Sequence, residues 1–326
     1  MINKLNLKYI DIKVIIEDGN ALRRPKPLKK GDKIALLGLS SPTTEERLDL
    51  SIKVMTDLGF EVIVGESCRS HYGYLSGEDK IRANDLNKMF FDKSISGIFA
   101  IRGGYGATRI LDKLDYNVIK KNPKVFAGYS DVTAIHNVIN CRCDLITFHA
   151  PMPATEIYKG LDEYSEYYFE KSIFKSKPLG KIINIKGMEM KSLVNGKAEG
   201  QLVGGNLSVI CSTLGTPYEI DTKGKILFLE EIDEYPYKID RMIMQLKQCN
   251  KFKDANGIIL GKWTDCLPPK GRDSLSLMQI FDELIGEEEK PIIYNFCCGH
   301  CLPTMTLPLG AKVKINATNR EINILE

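Results

Sequence analysis

The sequence predicts an α/β protein of two lobes, on three observations. Short apolar strands alternate with helix-periodic segments from residue 33 onward, the pattern of a parallel sheet covered on both faces. At 326 residues the chain exceeds what a single core usually fills. The alternation lapses between residues 156 and 197, which are rich in Lys, Glu and Tyr, and a second pattern starts near Gly200. These breaks divide the chain into an extension (1–24), a first α/β lobe (25–165), a linker (166–196) and a second, smaller lobe (197–326).

Each element follows from local signals. Pro25 to Asp32 is a turn-rich lead into a strand at 33–39. Ser40-Ser41-Pro42-Thr43 breaks that strand, and 45–58 has helical periodicity stopped by Gly59. A strand at 60–64, a loop-rich stretch at 65–79, a helix at 80–91 and a strand at 97–101 come next. The turn Arg102-Gly103-Gly104-Tyr105-Gly106 precedes a helix running to Leu114. A strand at 125–128 then enters Gly128-Tyr129-Ser130-Asp131, after which Val132, Ile135, Val138 and Ile139 recur at helical spacing. Another strand spans 145–148. In the second lobe, Gly200 to Leu207 leads to a strand at 225–229, a helix at 237–250 and a strand at 257–260. A helix at 276–285, stopped by Gly286, and a strand at 291–296 complete the pattern. Sites in such sheets lie beyond the carboxyl ends of the strands. Ser40, the 102–106 turn and Ser130 all fall at that edge.

Composition excludes several functions. The formal net charge is +3, from 45 Lys and Arg against 42 Asp and Glu. No basic face of the kind that binds nucleic acid or a membrane surface is concentrated in the sequence. No apolar run reaches membrane-spanning length, and residues 1–16 lack the pattern of a secretory signal. Nine cysteines in such a chain predict reduced thiols and a cytoplasmic location. Cys297, Cys298, His300 and Cys301 are spaced too tightly for a regular four-ligand zinc site, and no second Cys-x-x-Cys pair completes one, so no metal is expected.

A serine at a strand-to-helix corner is lifted clear of the sheet, the mechanical basis of a nucleophile elbow. Val132 stands where that motif usually ends in glycine, and a plain N-cap serine is the alternative for Ser130. A serine nucleophile needs a base, and only four histidines are available. His136 lies on the helix beyond Ser130 and points away from the edge; His71 sits in a loop. His300 follows a strand end at Cys297-Cys298-Gly299-His300 and ranks first, with His149 second. The strand Ile226-Leu227-Phe228-Leu229 ends in Glu230, Glu231, Asp233 and Glu234; Glu230 is best placed to orient the histidine, the others reading as solvated acids. The Arg102–Gly106 turn can cradle a phosphate, present an N–H to an oxyanion, or serve as a tight turn alone.

Five ordered motifs carry a family resemblance: Arg102-Gly103-Gly104-Tyr105-Gly106, Gly128-Tyr129-Ser130-Asp131, Gly204-Gly205-Asn206-Leu207, Leu229-Glu230-Glu231 with Tyr237 and Asp240-Arg241, and Gly299-His300. From about Pro25 onward the chain resembles the LD-carboxypeptidases, serine peptidases that also include the microcin C self-immunity peptidases. The resemblance implies an N-terminal α/β domain like the class I glutamine amidotransferases and a C-terminal domain on a mixed sheet. It further implies a triad of Ser130, His300 and Glu230, with an oxyanion hole from the backbone N–H groups of Asp131 and Gly104. The reaction implied is release of the terminal D-alanine from cytoplasmic murein tetrapeptide during cell-wall recycling, often by a homodimer, with no metal or cofactor. Arg102 and Arg241 are candidate partners for the substrate carboxylate. Strand register decides between Glu230 and Glu231.

Two rival readings remain. One is a microcin-type immunity peptidase cleaving a peptidyl- or aminoacyl-nucleotide amide; such relatives tend to carry a longer insertion between serine and glutamate, and the shorter separation here favours the carboxypeptidase branch. The other is a non-catalytic protein binding a phosphorylated ligand at Gly103–Gly106.

Overall fold

The computed structural model describes residues 22–326. Most of the predicted extension lies outside those residues. Arg23 belongs to the fold, because its N–H donates to Asp144 O and its carbonyl accepts from Ile146 N.

The first sheet contains β1 (Lys33–Leu37), β2 (Glu61–Val64), β3 (Ile95–Ala100), β4 (Val125–Gly128) and β5 (Thr147–His149). The second contains β6 (Gly180–Lys181), β7 (Lys191–Val194), β8 (Lys197–Asn206), β9 (Ile226–Ile232), β10 (Gly257–Thr264) and β11 (Ile292–Tyr294). Near the C-terminus lie β12 (Leu307–Leu309), β13 (Lys312–Asn316) and β14 (Glu321–Ile324). The first sheet has the order β12-β5-β4-β3-β1-β2 and is parallel except for β12. The second has the order β6-β14-β13-β8-β9-β10-β11-β7; its centre, β8 through β11, is parallel and its flanks are antiparallel.

The central strands are buried on both faces, so they read as continuous apolar runs rather than alternating ones. Val125, Phe126 and Ala127 of β4 and Ile226 through Leu229 of β9 are all buried. Helix Glu45–Asp57 starts where Thr44 accepts the Arg47 N–H, and helix Leu277–Leu284 starts at a reciprocal Ser276–Gln279 cap. Two predicted helices begin differently. Residues 107–113 form a 3-10 helix, and Ser130–Val132 is one 3-10 turn before helix Thr133–Cys143.

Residues 166–196, expected as a linker, hold most of helix Glu163–Ile173 together with β6 and β7. Asp162 caps that helix, accepting from Tyr164 N and Ser165 N, and its Tyr168, Phe169 and Ile173 pack into the core. Its tyrosine-rich surface hides the apolar period. Strand β12 was also not anticipated. It leaves the second lobe and pairs antiparallel with β5, Leu307 opposite His149 and Leu309 opposite Thr147. Pro308 lacks an N–H, which suits this edge position and masks the strand in the sequence. Further ties between lobes are Gly204 N donating to Asn137 Oδ1 (3.2 Å) and Asn206 N donating to Thr133 Oγ1 (3.1 Å). Through them the carboxyl ends of β4 and β9 are held close together.

Candidate active site

Strand β4 ends at Gly128, and the chain turns so sharply that Ser130 adopts φ 65. A non-glycine residue in this region costs on the order of 1 kcal/mol and persists only where surrounding structure enforces it. Here Val132, Ala134 and Ile135 are buried just after the corner and anchor the helix that holds it. A strained serine at a strand-to-helix corner is the geometry of a nucleophile elbow, reached without the final glycine. The 102–106 turn lies directly against it: a Cβ added to Gly103 would sit 2.8 Å from Ser130 Cβ. Gly104 follows with φ +119, and Tyr105 N donates to Ser41 Oγ at 3.2 Å.

Glu230 and His300 come from the second lobe. Glu230 is fully buried within the C-terminal half of β9, and its Oε2 accepts from His300 Nδ1 at 2.7 Å and from the His300 backbone N–H at 3.2 Å. Gly299 permits this approach, since its φ is +121 and a Cβ there would lie 2.8 Å from Glu230 Cβ. Thr264 Oγ1 donates to the His300 carbonyl and fixes the other side of the residue. The His300 ring lies 4.7 Å, centroid to centroid, from Tyr129, the residue preceding Ser130. A histidine from the second lobe therefore packs on the residue that precedes the serine of the first.

The electrostatics of the pair agree from both sides. Burial alone would push the Glu230 carboxyl up, but the charge and hydrogen bond of His300 outweigh it and hold it below the usual range. Burial would likewise lower His300, and the Glu230 charge and hydrogen bond reverse that, raising it. With Nδ1 occupied by Glu230, Nε2 is the ring nitrogen left for the cleft.

The choice between Glu230 and Glu231 follows from strand alternation. Glu231 points to the opposite face, where it accepts from Asn206 Nδ2 (2.7 Å) and Ile232 N (2.9 Å) through Oε1 and from Ser208 N (2.8 Å) through Oε2. It braces the start of helix Leu207–Ser212. Glu231→Ala is expected to cost about 1–3 kcal/mol of stability by leaving those donors unpaired, with kcat close to wild type. Urea unfolding and an activity assay on the same preparation check this.

The remaining histidines lie elsewhere. His136 is buried with Nε2 2.8 Å from Gly128 O, and His71 is exposed. His149 packs behind Tyr129 at 5.3 Å, and burial lowers its pKa to about 4. Arg102 is half-buried beside the turn; its Nη1 donates to Pro42 O at 3.2 Å, while its buried Nε has no protein partner. Arg241 is exposed and stacks over Tyr237 at 5.7 Å. The Cys297 and Cys301 thiols both donate to Pro303 O, at 3.0 and 3.3 Å. Among the described residues no group of three or more His, Cys, Asp or Glu is placed to hold a metal ion.

Glu156 escaped the sequence reading because it sits at the start of the weakly patterned stretch. Its Oε1 accepts from Tyr129 Oη at 2.7 Å and its Oε2 from Met152 N at 2.9 Å, which fixes the ring that packs on His300.

Comparison with known proteins bears on this geometry. Sequence models of the LD-carboxypeptidase N-terminal and C-terminal domains match residues 34–150 and 199–315. The chain belongs to the LD-carboxypeptidase family. As an LD-carboxypeptidase family member it is 40% identical over 305 residues to the "Probable murein peptide carboxypeptidase" of Bacillus subtilis (strain 168), covering 91% of this chain and 92% of that protein. It is 30% identical over 332 residues to the microcin C7 self-immunity protein MccF of Escherichia coli, covering 92% and 95%. The structure of MccF in complex with glutamyl sulfamoyl guanosine superimposes with a TM-score of 0.85 at 26% identity, covering 94% of this chain and 99% of that one. The family assignment and the α/β fold with one parallel-rich and one mixed sheet agree with the resemblance seen in the sequence.

Proposed function

We propose that this peptidase is a serine-type LD-carboxypeptidase that removes the terminal D-alanine of murein tetrapeptide in the cytoplasm during cell-wall recycling. One observation carries the reading: Ser130 is held at φ 65 beside the glycine turn, while the Glu230–His300 pair, bonded at 2.7 Å, is packed on the adjoining Tyr129. Strain at a half-buried serine that lies outside the Gly103–Gly106 turn is difficult to account for in a non-catalytic protein holding a phosphate on the N–H groups of that turn.

In this mechanism His300 Nε2 takes the Ser130 proton as Oγ attacks the scissile carbonyl carbon. Glu230 holds the ring by Nδ1 and stabilises the imidazolium that forms. The N–H groups of Asp131 and Gly104 receive the developing oxyanion. His300 then protonates the departing amine of D-alanine, and water, deprotonated by the same ring, releases the tripeptide from Ser130. Arg102, which opens the turn lying against Ser130 and whose buried Nε has no protein partner, is better suited than Arg241, stacked on Tyr237, to bind the terminal carboxylate.

The structural likeness to MccF bound to an aminoacyl sulfamoyl nucleoside supports the second reading, cleavage of a nucleotide-linked amide. A direct comparison separates the two. Purified protein is given murein tetrapeptide or glutamyl sulfamoyl adenosine, and amino-acid release is followed by chromatography. The carboxypeptidase reading expects kcat/KM for the tetrapeptide to exceed that for the nucleotide by at least about a hundredfold, a discrimination of roughly 2.7 kcal/mol. The reverse preference would assign the chain to the immunity branch.

A further inference from the structure

The carboxylate of Asp131 joins the nucleophile corner to the glycine turn opposite it. Asp131 is buried, and its Oδ2 accepts from Ala107 N at 2.7 Å and from Ser40 Oγ at 2.6 Å. Ala107 is the first residue after the 102–106 turn, and Ser40 follows the carboxyl end of β1. One oxygen thus ties three separate loops at the sheet edge. Behind it lies Arg82, fully buried, whose Nη1 donates to Leu39 O at 2.7 Å and to Gly106 O at 2.8 Å. Arg82 grips the same two loops through their carbonyls while Asp131 grips them through donors. The turn is attached to the Ser40–Pro42 loop on its far side, where Ser41 N donates to Gly103 O at 3.3 Å. Of these fasteners, the Asp131 carboxylate is the one that begins on the residue next to Ser130.

We infer that the Asp131 side chain is a positioning residue for the oxyanion hole: it sets the separation between the N–H of its own residue, beside Ser130, and the N–H of Gly104 across the cleft. The inference rests on the acyl-transfer reading above and extends it. An oxyanion site works only when both donors lie about 2.7–3.1 Å from where the charge will form. The two donors here belong to different loops, so their spacing depends on what links those loops. The Ala107 N–H to Asp131 Oδ2 bond is the direct link. Loosening it leaves both N–H groups chemically intact and misplaces one relative to the other. The loss then falls on the transition state, where the oxyanion exists, and spares substrate binding.

Asp131→Ala and Asp131→Asn test this. Asparagine keeps an acceptor oxygen for Ala107 N; alanine does not. Two readouts are taken on protein whose circular dichroism matches wild type: steady-state D-alanine release from tetrapeptide, and the rate at which a fluorophosphonate labels the protein. In labelling, Ser130 Oγ attacks phosphorus, fluoride departs, the serine proton passes to His300, and the phosphoryl oxygen must enter the oxyanion hole. We expect Asp131→Ala to lower kcat and labelling by about 10²–10³-fold with KM within about threefold, the effect of losing one oxyanion donor. Asp131→Asn should recover both to within about tenfold of wild type. Wild-type labelling of Asp131→Ala, or an Asp131→Asn variant as slow as the alanine one, would overturn the inference. Should Asp131→Ala fail to fold, Asp131→Asn and Ser40→Ala decide. A several-fold drop in kcat for Ser40→Ala at constant KM supports the clamp, and wild-type kcat refutes it. A wild-type protein that is labelled but releases no D-alanine points to another substrate and leaves the clamp testable by labelling. Absence of labelling in wild type removes the acyl-transfer reading itself, and the inference with it.

Discussion

Ser130→Ala is expected to lower kcat for D-alanine release by about 10⁶-fold and to leave the fold and tetrapeptide binding unchanged. The magnitude is that of deleting a serine nucleophile from a working triad, where the residual rate comes from the oxyanion hole and binding alone. Alanine carries the same Cβ as serine, so the strain at φ 65 is neither relieved nor increased. Ser130→Gly removes the strain as well as the hydroxyl. That variant is expected to be more stable than Ser130→Ala by about 1 kcal/mol while equally inactive. Thermal unfolding of the two variants beside a discontinuous assay for D-alanine checks both halves. A gain in stability on deleting the hydroxyl-bearing side chain identifies a residue whose conformation serves catalysis at the expense of folding.

Glu230→Gln is the second large effect. Glutamine preserves size and can still accept a hydrogen bond, yet it removes the charge that stabilises the imidazolium and can present its amide to Nδ1 in the wrong sense. By analogy with carboxylate loss in Ser–His–Asp enzymes, kcat should fall by about 10⁴-fold. The pH profile adds a signature. In the wild type His300 is raised above its ordinary value, so the neutral base, and with it kcat/KM, appears only as pH climbs past a midpoint above about 6.5. With the Glu230 carboxylate gone, burial is opposed only by the lesser charges of Glu231 and Glu156, and His300 falls from its wild-type position. The acidic limb of the variant therefore moves to lower pH while its plateau collapses. The stability linkage runs the other way in pH. The raised His300 contributes stability below its unfolded pKa that is lost as pH rises through the folded value, and the depressed Glu230 contributes stability that is lost on acidification.

Much of this was legible in the sequence because its signals are local. Apolar runs gave β1, β3, β4, β9, β10 and β11, whereas central β8, rich in glycine and polar residues, carries no such run; Gly128-Tyr129-Ser130 announced a corner before any packing was known. Elimination among four histidines favoured His300 because strand ends are where such sheets place chemistry. Long-range partners left no such trace. Strand β12 crosses back to the first sheet in only three residues, one of them proline, and nothing in Leu307-Pro308-Leu309 reveals an alliance with His149. Glu230 and Glu231 are adjacent acids with identical chemistry, and only register separates the one bonded to His300 from the one bracing Asn206 and Ser208. Strand β9 continues through both because each carboxylate finds donors, whereas a reading from hydrophobicity alone ends it at Leu229. Asp131 shows the same limit: its N–H could be inferred from the motif, but the reach of its carboxylate to Ser40 and Ala107 required the folded chain.

The chemistry proposed here depends on a proton leaving Ser130 for a ring that arrives from the other lobe. Mapping the covalent adduct of a fluorophosphonate by peptide mass spectrometry, in the wild type and in His300→Ala, interrogates that dependence at the reacting atom. A single adduct on the peptide containing Ser130, formed at least about a thousandfold more slowly without the imidazole, is the predicted result. Modification at another residue, or of Ser130 at an undiminished rate in His300→Ala, would contradict it.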